Sequence, residues 1–213
     1  MRGEEALSRF WKPLMLNDQK KWNSLVKIHN CTKSILLKAE EIDQRHEFFF
    51  PPLIQQRDAL DHIMRAMFAL ACPDEFTKTR GAEGTDIEAY ATRQLDKAIG
   101  HAYRALFDAA DWLSIVYREQ IRQMLGDYSR QTIHSRFSDM AQCIEPRIDA
   151  ISTRIAELRM EKDIGNDDQI IAGVVEYQNL LDELEQHWRR VRDMVPELER
   201  AEFASSRQSE LPA

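Results

Sequence analysis

Apolar side chains recur along this chain at intervals of three and four residues, the pitch of a helix face. From Asp18 to about Phe49 the series is Trp22, Leu25, Ile28, Ile35, Ala39, Ile42 and Phe49, and its three isoleucines return every seventh residue. A second helix is predicted over 52–72, with Leu53, Leu60, Met64, Met67 and Ala71 on one stripe, ending at Cys72-Pro73. Residues 73–85, PDEFTKTRGAEGT, read as a long loop. Thr85 or Asp86 then caps a helix over 86–125. Its stripe runs Ile87, Ala91, Leu95, Ala98, Ala102, Leu106, Ala109, Leu113, Val116 and Met124, and Gly126 is its stop.

Ser129 begins another helix, in which Pro146 predicts a kink or break because its ring removes a backbone donor. Beyond it Ile148, Ile151, Ile155 and Leu158 keep a regular spacing up to the turn KDIGNDD. The most regular pattern follows. Ile170, Val174, Tyr177, Leu181, Leu184, Trp188, Val191, Val195 and Leu198 alternate steps of four and three, a sustained heptad seam of the coiled-coil kind. Pro196 predicts an early end to that helix. No strand pattern competes. The expectation is an all-α chain: a leader over 1–17, a long-helix bundle over 18–127, a coiled-coil-like antiparallel helical hairpin over 128–200 and a disordered tail over 201–213.

One stretch resists a single helix face. HEFFFPP, residues 46–52, puts three aromatic rings about 100° apart around a helix end, so one face cannot bury them all. The double proline ends one helix and opens the next, since a proline loses nothing at a first helical position. A mostly buried hinge is expected, with a ring left out to meet a partner as the alternative.

Composition narrows the class. The 213 residues are 43% hydrophobic and 31% charged, which places the chain among ordinary globular proteins with a core of their own. A net charge of −7 argues against broad nucleic-acid binding by charge alone. Cys31, Cys72 and Cys143 are far apart, so neither a disulfide framework nor a zinc site is suggested. With no apolar run long enough to span a bilayer and no signal-peptide pattern at the start, the reading is cytoplasmic, with no membrane partner and no cofactor.

Four clusters could carry chemistry. RDALDH, Arg57 to His62, places a histidine five residues after an arginine that is followed by the polar Asp58. This resembles the Rx4–6H signature of HEPN proteins, all-helical bundles that include metal-independent ribonucleases. The resemblance implies a dimer in which Arg57 would hold the phosphate and His62 would act as acid or base on RNA. It covers these six residues and the helical class, and it expects Arg57 and His62 to face one cleft. The competing reading is a solvated face of i,i+4 pairs, Arg57–Asp61, Asp58–His62 and Asp61–Arg65.

In HAYRALFDAADW, His101, Asp108 and Trp112 share one side of the long helix, with Arg104 four residues before Asp108. Polar groups beside an apolar stripe need partners, so a polar cluster fixing helix register is expected there, with the second half of an active site as the alternative. Asp43-x-x-His46 only loosely resembles a carboxylate-bridged metal bundle, and no metal is expected. His187, Trp188, Arg189, Arg190 and Arg192 combine ring and charge, but acids are interleaved and Trp188 lies on the seam. Two functions remain: a non-catalytic helical interaction protein, self-associating or binding another protein through its seams, or a HEPN-like ribonuclease acting on RNA as a dimer.

Overall fold

The structure, a computed structural model, describes residues 19–43, 49–80, 86–160 and 167–209. It is all-α, as its periodicity predicts. Among the described residues seven α-helices and a π-helical turn follow in order: α1 (Gln19–Ile42), α2 (Phe50–Ala71), α3 (Pro73–Arg80), α4 (Ile87–Gly126), α5 (Arg130–Arg136), the π turn (Met140–Ile144), α6 (Glu145–Met160) and α7 (Asp167–Ser209). No strand occurs among the described residues. The predicted leader, His46, Phe48, most of the KDIGNDD turn and the last four residues lie outside them.

The described chain divides into two compact units, one holding residues 19–37 and 49–109, the other 38–43 and the described residues from 110 onward. The division falls inside α1 and α4.

In the first unit α1 buries Leu25, Ile28 and Ile35, and α4 buries Ala91, Leu95, Ala98, Ile99 and Leu106. Lys21 Nζ reaches Asp96 Oδ1 at 2.6 Å, tying α1 to α4. α4 starts where the sequence indicates: Asp86 Oδ1 accepts from the Ala89 amide at 3.0 Å, the hydrogen bond of an N-cap.

α2 departs from its predicted orientation. Pro51 and Pro52 open it, with Phe49 at the cap position. Its large stripe is not its buried face: Leu53, Leu60 and Met64 are exposed, while Pro52, Ala59, Ala66 and Ala69 are buried. Small side chains allow close helix approach, and the face of α2 turned inward is the small one. The aromatic run splits likewise. Phe49 is half-buried and Phe50 is exposed, while Phe48 lies outside the described residues, so the two described rings do not form the mostly buried hinge expected and Phe50 matches the alternative of a ring left out.

The predicted loop at 73–85 is helical as far as Arg80. Pro73 opens α3, and Asp74 and Glu75 in its first turn suit the positive end of the helix dipole. Phe76 anchors it. The ring is buried, 4.8 Å from Tyr90 and 6.2 Å from Phe68 between centroids.

The second unit contains the heptad seam. Val174, Tyr177, Leu181, Leu184, Val191 and Leu198 are buried, facing a core that includes Ile148, Ile151, Ile155 and Leu158 of α6. α6 and α7 are antiparallel, as their cross-pairs show. Arg154 Nε donates to Glu176 at 2.6 Å and Arg147 Nε to Glu183 at 2.5 Å, so one position falls by seven as the other rises by seven.

Ser129 caps α5, its Oγ accepting from the Thr132 amide at 3.2 Å. The chain leaves α5 at Phe137, and the irregularity predicted at Pro146 takes the form of the π turn directly before it, which the Glu145 amide closes onto the Met140 carbonyl; Pro146 follows in the first turn of α6. α7 does not stop at Pro196 but runs to Ser209. Burial of Leu198 and acceptance by Glu202 of the Ser129 amide (3.3 Å) and hydroxyl (3.1 Å) hold the segment beyond the proline.

Candidate functional site around the second helix

Two sides of α2 carry unusual chemistry. Gln55, Ala59, His62, Ala66 and Ala69 step by four and three along the side that meets α4. His62 Nδ1 is 2.7 Å from Oε1 of Gln94 on α4, and His101 Nδ1 of α4 is 2.8 Å from Oε1 of Gln55 on α2. Each helix thus supplies one imidazole and one amide. An amide oxygen only accepts, so each Nδ1 carries the hydrogen and donates it, leaving Nε2 of both rings as the basic nitrogen. The rings stack, with centroids 5.2 Å apart.

The electrostatics follow from this crowding. Burial lowers the His101 pKa first, the Arg104 guanidinium and the His62 ring lower it further, and Asp58 opposes them. The Asp58 carboxyl is held below the usual carboxylate range, first by the hydrogen bond from Arg57, then, against some desolvation, by the charge of Arg57 and last by the fields of His101 and His62. Arg57 donates to it through Nε at 3.0 Å and through Nη2 at 2.7 Å.

The structure therefore gathers Asp58, His62 and His101, with Arg104 exposed beside them and Asp108 half-buried further along α4. Arg57 is strongly exposed and lines a groove towards α1, whereas His62 is turned to α4. Of the i,i+4 pairs the sequence suggests, Asp61–Arg65 forms at 2.7 Å, while Arg57 takes Asp58. Gln55 and Gln94 are absent from the sequence reading. Gln94 had a signal: it is a polar residue between Ala91 and Ala98 on the face that α4 buries.

The second side of α2 is apolar and open. A groove of about 510 Å³ lies between α1 and α2, lined by Trp22, Val26 and His29 on one wall and Leu53, Leu60 and Ile63 on the other. Next to it Phe50, Ile54, Met64 and Phe68 face solvent.

The other candidates carry less. Among the described residues no group of histidine, cysteine and acid side chains could hold a metal, and Asp43 is buried while His46 lies outside them. On α7, Arg189 pairs with Glu185, Arg190 with Asp139 and Arg192 with Asp193, while the Trp188 ring lies 5.9 Å from that of Tyr117. That face is mixed in charge, and its tryptophan packs against the core. No helix among the described residues is long and apolar enough to cross a membrane. No protein-family model matches the chain, and no curated protein or solved structure matches it.

Proposed function

We propose that this chain is a non-catalytic helical assembly protein that acts by packing the exposed side of α2 against a helix of another polypeptide. The observation that carries this reading is the orientation of α2: its alanines face inward, and Leu53, Leu60 and Met64 are left in water beside an apolar groove. A helix that hides its small residues and shows its large ones has an apolar surface to bury elsewhere. The paired histidines support the same reading. Each is hydrogen-bonded to a glutamine of the neighbouring helix, an arrangement that fixes the register of α2 on α4.

The test is a photoreactive benzoyl-phenylalanine placed at Leu60, with Glu199 on the exposed side of α7 as control. Irradiation in cells is expected to give covalent adducts from position 60 and not from 199. Equal yields from both positions would refute the docking role. The ribonuclease reading makes the opposite demand: wild type degrades RNA and His62→Ala does not, whereas the assembly reading expects intact RNA with both.

A further inference from the structure

The outer face of α2 reads the same in both directions. Phe50, Ile54, Arg57, Asp61, Met64 and Phe68 follow at steps of four, three, four, three and four, so they share one side of the helix. Reversed, the steps are unchanged, and so is the order of chemistry: ring, apolar chain, charge, charge, apolar chain, ring. Only the sign of the central charges exchanges. The four apolar members are all accessible, Phe50 at 62%, Ile54 at 44%, Met64 at 55% and Phe68 at 38%. The side chains of Arg57 and Asp61 are more than half exposed.

We propose that two copies of this chain pair through this face, α2 antiparallel to its counterpart, about a two-fold axis that crosses the outer face midway between Arg57 and Asp61. The proposal rests on the reading of this side of α2 as a docking surface and names its occupant. In that arrangement Phe50 meets the partner's Phe68, Ile54 meets the partner's Met64, and Arg57 meets the partner's Asp61. Each contact occurs twice, as a two-fold interface requires. The positions in each pair add to the same total, which is the condition for antiparallel neighbours.

Parallel packing is disfavoured by the same residues, because it would set Arg57 against Arg57 and Asp61 against Asp61. The bonds that Arg57 and Asp61 make now, to Asp58 and Arg65 at 2.7 Å, are exposed pairs that resist rearrangement weakly. Leu53, Leu60 and Val26, exposed along the adjoining groove, widen the contact beyond a single ridge.

The test uses the full chain and exchanges the charges. Sedimentation equilibrium across a dilution series is expected to give wild type a mass of twice 24.9 kDa at the concentrated end. Arg57→Asp and Asp61→Arg each place like charges together twice, and each is expected to weaken pairing by about tenfold or more. An equimolar mixture of the two variants sets every opposite pair right again and is expected to restore dimer, as is the double substitution in one chain. Ile54→Asp supplies a further loss-of-pairing variant if a charge swap disturbs the fold, which circular dichroism reports.

Wild type at 24.9 kDa throughout, single variants that dimerise like wild type, or single variants not rescued by mixing would each overturn the proposal. A monomeric wild type whose position 60 still forms adducts with other proteins overturns self-pairing and leaves the docking surface standing. No adducts beyond the control would remove both.

Discussion

The imidazole of His62 lies over that of His101, the two planes 25° from parallel, and each ring is held by a glutamine from the opposite helix. Acid should therefore loosen this helix contact. The His101 pKa is lowered from 6.5 in the folded chain, so on acidification the unfolded chain takes up the proton first. Its stabilising effect is complete above 6.5 and is lost as the pH falls towards the depressed folded value. His187 is also lowered, chiefly by burial, and adds in the same direction. Urea midpoints are expected to drop between about pH 7.5 and about pH 5.5, and to drop less in His101→Gln. An equal drop in both proteins would clear His101 of the effect.

Gln94 is buried and Gln55 is only half-buried, although they do the same work. Replacing Gln94 by leucine removes the buried acceptor of the His62 N–H and is expected to cost about 1–3 kcal/mol. Gln55→Ala should cost less, since water can reach His101 in its place. Urea unfolding of the two variants at neutral pH gives the comparison, and the reverse order would show that the two amides are misassigned.

The faces of α2 can be told apart by stability alone. Ala66 is fully buried, and Ala66→Leu is expected to destabilise by about 1–3 kcal/mol through overpacking. Met64→Ser, two positions away, should stay within about 0.5 kcal/mol of wild type when measured at concentrations dilute enough to hold the chain monomeric. A large loss from Met64→Ser would mean that the outer face is covered within the single chain.

In the α6–α7 hairpin the seam should matter far more than the ion pairs beside it. Leu184 has no exposure, and Leu184→Ala is expected to cost about 2–5 kcal/mol. Arg147 pairs with Glu183 near water, and Arg147→Ala should cost about 0–1 kcal/mol. Thermal and urea unfolding separate the two effects.

What the sequence made legible follows from periodicity. The stripes of α4 and α7 are long and one-sided, so Leu95, Leu106, Tyr177 and Leu184 could be placed in the core from spacing alone. α2 carries two repeating seams, one of alanines with His62 and one of larger side chains. Spacing shows which residues share a face but not which face turns inward, and size pointed to the wrong one. α3 escaped notice because eight residues with a single aromatic anchor, Phe76, give periodicity too little to repeat. His101 stood out as a polar group beside an apolar stripe, and Asp58 as the polar residue that follows Arg57. The bonding of His62 and His101 to glutamines did not, because it depends on the register between two helices that are distant along the chain.

The hydrogen bonds from Ser129 to Glu202 join positions 73 residues apart. The end of α7 is thus a clasp on the start of α5. Shortening the protein after Arg200 to make a tidier fragment would unfasten a helix cap far upstream, so tags and cuts at that terminus are best placed beyond Ser209.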